Sequence, residues 1–191
     1  MELERLWKQY SDLLRSTFDN EQPVVQLLET LGERIVMTPT GRYIRDPGCE
    51  PGGMIMMSLK TAQQATKLMG AYDLPSEMKK SVVKVALLHD IGKVGDLEHD
   101  WLIEQDSDWH REKQGAHYKF NEAEGQQRMS TSHRTLYLLQ HFGVKLTRDE
   151  WLAIQLAGGF HFEENRWYVH DEPELATIIQ QAKYFVSKRR T

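Results

Sequence analysis

The sequence predicts an all-α domain, because apolar residues recur at helical spacing along most of its length. The exceptions are two segments. Glycine and proline concentrate in residues 38–53, which predicts an irregular loop, and residues 96–130 are the least helical, which predicts a small irregular or β-hairpin insertion. Nothing between the predicted elements resembles a linker, so we expect residues 1–191 to form a single domain.

Two helices are predicted in residues 1–37. The first has one apolar stripe, which runs from Leu3 to Leu14. The second is predicted to begin with Asn20 near its N-cap and Pro23 in its first turn, and to end at Gly32.

Residues 54–95 are predicted to form the first part of the helical core. One helix begins near Met54. Another follows Ser76, a residue type favoured at the N-cap, and ends at Gly92. The apolar spacing of this helix places His89 on its core side, close to its C-terminus.

Residues 131–190 are predicted to complete the core. Thr147 and Glu150 form a capping box, which opens one helix. The last helix follows Pro173. Its final basic residues complement the negative end of the helix dipole; they are Lys188, Arg189 and Arg190.

Within the insertion, residues 109–113 and 117–121 flank Gln114 and Gly115. These segments mix aromatic with basic side chains, and they could form either a β-hairpin or a long ordered loop. The bases of the first arm include Arg111 and Lys113. They are candidates for binding the phosphate or another part of a substrate, although solvated charges on a half-buried hairpin explain them equally well.

Composition excludes several classes of function. The formal net charge is -4, which argues against a nucleic-acid partner. No apolar run approaches the roughly 20 residues of a membrane span, and the N-terminus is unlike a signal peptide. Cys49 is the single cysteine, which fits a reducing compartment. We therefore expect a cytoplasmic protein, or one in the host-cell cytoplasm if a phage encodes it.

The strongest motif is the run from Leu87 to Lys93, which contains an adjacent His89 and Asp90 at the end of an apolar helix. Imidazole nitrogen and carboxylate oxygen both donate to metals. Lys93 could hold a phosphate as a point charge, or it could bind carbonyl groups at the helix end.

These residues resemble the HD-domain superfamily of metal-dependent phosphohydrolases, in particular its small bacterial and phage members. The resemblance extends from about residue 38 to the last helix. It depends on Gly52-Gly53 before a core helix, on Leu87-Leu88-His89-Asp90-Ile91-Gly92-Lys93, and on shorter flanks around positions 131, 157 and 183. It implies an HD-type helical bundle and a metal site that contains His89 and Asp90.

Other residues stand at the remaining ligand positions of that pattern. They are Met57, Thr131, Ala157 and Lys183. A hard divalent ion takes about six donors, so His89 and Asp90 alone would hold it weakly. An ammonium about 4 Å from a divalent ion would repel it by roughly 8 kcal/mol at an effective dielectric constant of about 20.

We therefore expect Lys183 to replace the metal as the partner of Asp90. A buried carboxylate needs a compensating positive charge, and the lysine could supply it. This hypothesis predicts a contact between the two side chains. The competing hypothesis is a rebuilt metal site, in which His133 and His161 act as relocated ligands.

Three functions are compatible with these residues. The first is a degenerate HD-type module without catalysis or cofactor, which binds a nucleotide or a protein and regulates it. The second is an active nucleotide phosphohydrolase, which uses His89, Asp90, relocated ligands and Mn, Mg, Co or Fe. The third is a structural or assembly protein built on the same scaffold. The ligand count favours the first and third. Oligomeric state is left open.

Overall fold

The computed structural model describes residues 2–123 and 128–188, and this part of the chain is mostly α-helical, as predicted. Its helices are α1 (Glu2–Arg15), α2 (Gln22–Met37), α3 (Gly53–Ala71), α4 (Lys79–Leu88), α5 (Asp108–Gln114), α6 (Thr131–His141), α7 (Arg148–Leu156) and α8 (Glu174–Lys188). Two short strands are β1 (Leu102–Glu104) and β2 (Tyr118–Phe120), and 3-10 turns cover Ser76–Met78, Ile91–Val94 and Glu163–Tyr168.

Helix α3 lies at the centre of the core, where it packs against α4 and α8. Helix α7 packs on α8 and α6, and α1 and α2 cover the opposite side of α3. The apolar stripe predicted for the first helix faces inward at Tyr10 and Leu14, both fully buried. The Tyr10 hydroxyl donates a hydrogen bond to the Leu87 carbonyl (2.9 Å), which fixes α1 against the end of α4.

The insertion contains a two-stranded antiparallel sheet, in which Leu102 lies opposite Phe120. The hairpin that residues 109–113 and 117–121 suggested is wrong, because residues 102–104 pair with residues 118–120 instead. Residues 109–113 form most of α5, which the Ser107 side chain caps at its start. Helix α5 ends at Gly115, whose φ of +65° is a left-handed conformation that favours glycine.

Residues 38–53 form the predicted irregular loop, and the loop is tightly folded. The amide of Thr40 donates to the Gly48 carbonyl (2.9 Å) and the amide of Met54 to the Thr38 carbonyl (3.1 Å). A Cβ on Gly53 would lie 1.8 Å from the Gly48 oxygen, so only glycine fits there. A further bond, from the Ile44 amide to Gly115, joins the loop to the insertion.

Several predicted helix ends are wrong. Gly32 lies inside α2 rather than at its end, and the Trp7 ring packs over it, 3.1 Å from where a Cβ would stand. The start of that helix is close to its predicted place, since Glu21 is the N-cap and the Gln22 amide donates to Asn20 Oδ1 (3.2 Å). Ser76 begins a 3-10 turn, which delays the start of α4 to Lys79. Packing across the core overrides these local signals.

Helix α4 ends at Leu88, not at Gly92, which lies in the following 3-10 turn. This turn packs against α6. The Gly92 amide donates to the Thr135 hydroxyl, and the Gly92 carbonyl accepts from the Arg134 guanidinium, both at 2.9 Å. Thr135 also donates to the His89 carbonyl at 3.2 Å. Helix α6 therefore fixes the backbone that carries His89 and Asp90.

The predicted capping box at Thr147 and Glu150 is confirmed. Glu150 is almost fully buried, and its carboxylate also pairs with Lys84 (2.9 Å) and accepts from Ser81 (2.7 Å). One side chain thus caps α7 and joins it to α4.

None of the helices in the described ranges has the length and apolarity that crossing a bilayer requires. Arg189 and Arg190, predicted to complement the dipole of the last helix, lie outside the described residues.

We expect Gly92→Ala to destabilise the protein by at least about 2 kcal/mol, because an added Cβ would lie 2.3 Å from the Thr131 carbonyl oxygen. Gly70→Ala is the matched control. Gly70 lies in α3 with no atom within 4 Å of its added Cβ, so this change should stabilise the helix by up to about 1 kcal/mol. Urea unfolding measures both. Equal effects of the two changes would contradict the role given to Gly92.

Candidate functional site

His89 and Asp90 face a cleft of about 180 Å³ between the helical core and the loop of residues 38–53. The cleft is lined by Thr40, Gly41, Asp46, Pro47, Met57, Thr61, His89, Asp90, Lys93, Lys183 and Ser187. Helices α3 and α8 form two of its walls, and the end of α4 with its 3-10 turn forms the floor.

Both members of the central pair are buried, with exposures of 2% for His89 and 6% for Asp90. His89 is the C-cap of α4, and its Nδ1 lies 2.9 Å from the Ala86 carbonyl oxygen. A neutral imidazole with its proton on Nδ1 satisfies this carbonyl and leaves Nε2 as an acceptor. Nε2 lies 3.7 Å from Asp90 Oδ1.

The contact predicted between Asp90 and Lys183 is present. Lys183 Nζ lies 2.9 Å from Asp90 Oδ1 and 3.3 Å from the Ala157 carbonyl oxygen. Lys93 Nζ lies 2.8 Å from Asp90 Oδ2. Each carboxylate oxygen therefore has an ammonium partner. Lys93 thus pairs with the carboxylate rather than with the carbonyl groups at the helix end.

The two lysines control the ionisation of Asp90. Burial by itself would raise the pKa of the carboxyl group, but the ammonium groups of Lys183 and Lys93 outweigh burial and hold that pKa well below its ordinary value. Burial lowers the pKa of His89 to about 4, against the opposing effect of Asp90. At neutral pH the central pair therefore consists of an ionised Asp90 and a neutral His89.

The other positions at which the resemblance implies ligands are not all in the cleft. Met57 lines the cleft, and Ala157 lies beside it and contributes its carbonyl group to Lys183. Thr131 does not line the cleft; it begins α6, where its carbonyl packs against Gly92.

A divalent metal does not fit the side chains gathered here. Both oxygens of Asp90 are occupied by ammoniums, and a cation bound to either oxygen would face direct charge repulsion. Met57 supplies only a soft thioether. Within the described ranges, no group of three or more His, Cys, Asp or Glu side chains could hold a metal.

Four further residues considered for the site do not line this cleft. His133 is exposed on α6, and His161 is exposed with its ring against Phe162. Arg111 pairs with Asp108 and donates to the Gln105 carbonyl at 2.9 Å, while Lys113 is exposed on α5. The structure therefore does not bring these side chains together with His89 and Asp90.

Several lining residues were not predicted from the sequence. Asp46 and Thr40 come from the irregular loop, Thr61 from α3 and Ser187 from α8. Thr61 lies four residues after Met57 and therefore shares its helix face, which is a signal that the sequence does contain.

Arg134 was also not identified. It is 1% exposed and its guanidinium lies 4.0 Å from the Trp101 ring centroid, where burial lowers its pKa. Besides Gly92, it donates to the Met129 carbonyl (3.1 Å). Its position one turn before the buried Leu138 marks it as inward-facing.

Comparisons of the chain with protein-family models, with curated proteins and with solved structures find no significant match.

We expect Lys183→Met to destabilise the protein by about 1–2 kcal/mol, because it removes one of two cations from a buried carboxylate. Asp90→Asn in the same chain should recover part of that loss. A double-mutant cycle by urea unfolding measures the coupling. The control is Lys113→Met, which changes an exposed lysine outside the cleft. Purely additive effects of the two cleft changes would contradict the ion pair.

We expect acid to weaken the fold through His89. The unfolded chain binds the proton with a pKa near 6.5 and the folded chain only near 4, so protons favour unfolding. Stability should fall by up to about 3 kcal/mol as the pH drops from about 6.5 to 4. His89→Asn should flatten this part of the profile of unfolding free energy against pH. An unchanged slope would show that His89 is not the titrating group.

Proposed function

We propose that this chain is an HD-type helical domain whose central cleft works without a divalent metal, and that it is a non-catalytic module that binds the phosphate of a nucleotide. The observation that carries the proposal is the Lys183–Asp90 contact at 2.9 Å. The Lys183 ammonium pairs with one oxygen of the carboxylate that a metal ion would need, and the Lys93 ammonium pairs with the other oxygen.

Two features support the HD-type assignment. The adjacent His89 and Asp90 end a core helix and face a cleft, which is the placement that the resemblance implies. In the last helix, Lys183 stands at the position where the resemblance implies a metal ligand, and its Nζ contacts Asp90 directly. If the alignment of the short flanking sequences were accidental, there would be no reason to expect contact between these two side chains.

The small size of the cleft and its two ammonium groups favour a nucleotide over a protein as the ligand. The cleft is a small concave space with two ammonium groups on its wall, and Lys93 and Lys183 can hold a phosphate as point charges. A protein partner would need a larger continuous surface.

The hydrolase alternative requires a metal that the donor set does not fit and histidines that do not line the cleft. No observation on the described residues favours it. The structural or assembly alternative predicts that no small ligand binds in the cleft. A binding measurement therefore distinguishes it from the proposed nucleotide-binding function.

We expect the purified protein to contain far less than one Mn, Fe, Co or Mg per chain by elemental analysis. We also expect no phosphate release from a panel of nucleotides with added Mn, Co or Mg. In the presence of a chelator, nucleoside monophosphates should raise the melting temperature. At a ligand concentration of 100 times Kd, the free energy of unfolding should increase by about 2.7 kcal/mol.

Lys183→Met should abolish the thermal shift, while Lys113→Met should preserve it. Stoichiometric metal together with phosphate release that disappears in His89→Ala would overturn the proposal in favour of the enzyme. No thermal shift with any nucleotide would overturn it in favour of the structural role.

A further inference from the structure

The two lysines of the cleft have hydrogen-bond donors to spare. An ammonium has three N–H groups. Lys93 uses one on Asp90, and Lys183 uses two, on Asp90 and on the Ala157 carbonyl. Two N–H groups of Lys93 and one of Lys183 therefore have no partner within the described part of the chain. Because both ammoniums are fixed on the same carboxylate, they present these donors together.

The hydroxyl groups of the cleft, in contrast, have no hydrogen left to donate to a ligand. Thr61 donates its single hydrogen to the Met57 carbonyl (2.8 Å), and Ser187 donates to the Tyr184 carbonyl (2.9 Å). Thr40 donates to the Pro47 carbonyl. Each oxygen can then only accept a hydrogen bond from a ligand.

Asp46 adds a stronger acceptor. Its Oδ2 accepts from the Tyr43 amide (3.0 Å), and in the described ranges its Oδ1 has no hydrogen-bond partner. The loop of residues 38–53 holds this half-buried carboxylate in the lining of the cleft, together with Asp90 and the two lysines. A ligand that carries only negative charge would meet repulsion from Asp46, whereas a ligand with hydroxyl groups would donate to it.

The volume limits the size of the ligand. About 180 Å³ is smaller than the roughly 300–1,000 Å³ that is typical of pockets for drug-sized ligands. A phosphate group and several hydroxylated carbons fill such a space. A nucleotide base would have to lie outside it.

We propose that the cleft recognises a sugar phosphate, with the phosphate on Lys93 and Lys183 and the sugar hydroxyls on Asp46 and the side-chain oxygens of Thr40 and Thr61. The proposal rests on the proposed function and names the part of the ligand that the cleft selects. The sugar phosphate is either free or the corresponding end of a nucleotide.

Calorimetric titration with ribose 5-phosphate, inorganic phosphate, ribose and ribonate, in a buffer with chelator, tests this directly. Ribose 5-phosphate should bind at least tenfold more tightly than inorganic phosphate. Ribose should give no measurable binding. Ribonate, a sugar acid that has hydroxyl groups and a carboxylate at C1 but no phosphate, should bind more weakly than ribose 5-phosphate.

Asp46→Asn separates the two halves of the site. The amide oxygen can still accept from the Tyr43 amide, so the loop should keep its conformation. Replacing a charged acceptor by a neutral one should weaken ribose 5-phosphate roughly fivefold to tenfold. Inorganic phosphate should bind equally well or more tightly, because a negative charge has been removed. The control is Asp149→Asn, at a half-buried position on α7 outside the cleft.

Lys183→Met should abolish binding of both phosphate compounds. Lys93→Met removes the other ammonium group. If the Lys183 variant does not fold, loss of phosphate binding by the Lys93 variant gives the same information.

The outcomes distinguish this inference from the proposed function. Equal weakening of ribose 5-phosphate and inorganic phosphate by Asp46→Asn, or no weakening of either, overturns hydroxyl recognition and leaves phosphate binding in place. Binding of adenosine monophosphate but not of ribose 5-phosphate has the same meaning. Ribonate binding as tightly as ribose 5-phosphate overturns the choice of phosphate. If no phosphorylated compound binds, both proposals fail.

Discussion

The buried carboxylate of Asp90 is the constraint on which the rest of the site depends. An isolated charge in the interior is strongly unfavourable, so the fold must bring a positive charge to each of its oxygens. Lys93 comes from the same turn, three residues along, and Lys183 from the last helix. The approach of α8 to α4 therefore has an electrostatic role as well as an apolar one. Because the ammoniums occupy the carboxylate, the same arrangement disfavours a divalent ion.

The geometry of that carboxylate depends in turn on the 3-10 turn after α4. Gly92 lies so close to α6 that a side chain would clash with the backbone at Thr131. Thr135 and Arg134 bind both polar groups of the Gly92 backbone. These contacts hold the turn from one side while Tyr10 holds the end of α4 from the other, through the Leu87 carbonyl. A site with so little freedom is suited to binding a ligand without rearrangement.

Local signals in the sequence predicted most of the helices but not all of their ends. The capping box at Thr147 is correct because its two hydrogen bonds lie within four residues. Gly32 was predicted to end α2, yet the helix continues beyond it. The glycine instead leaves room for the Trp7 ring, which lies where a side chain would be. Residues 109–113 suggested a strand through their aromatic content, whereas Ser107 and Gly115 define a short helix. In each wrong case a distant contact or a cap outweighed the local preference.

The sequence by itself determined the helical class, the irregular loop and the place of His89 and Asp90 at the end of a core helix, because each follows from periodicity or from residue types within one segment. It also suggested the partner of Asp90, although Lys183 lies 93 positions away. Only the tertiary structure decided that Asp46, Thr40 and Thr61 share a cleft with these residues, and that His133 and His161 do not. Which side chains meet across a core depends on how helices and loops pack, and that geometry is not local to any segment.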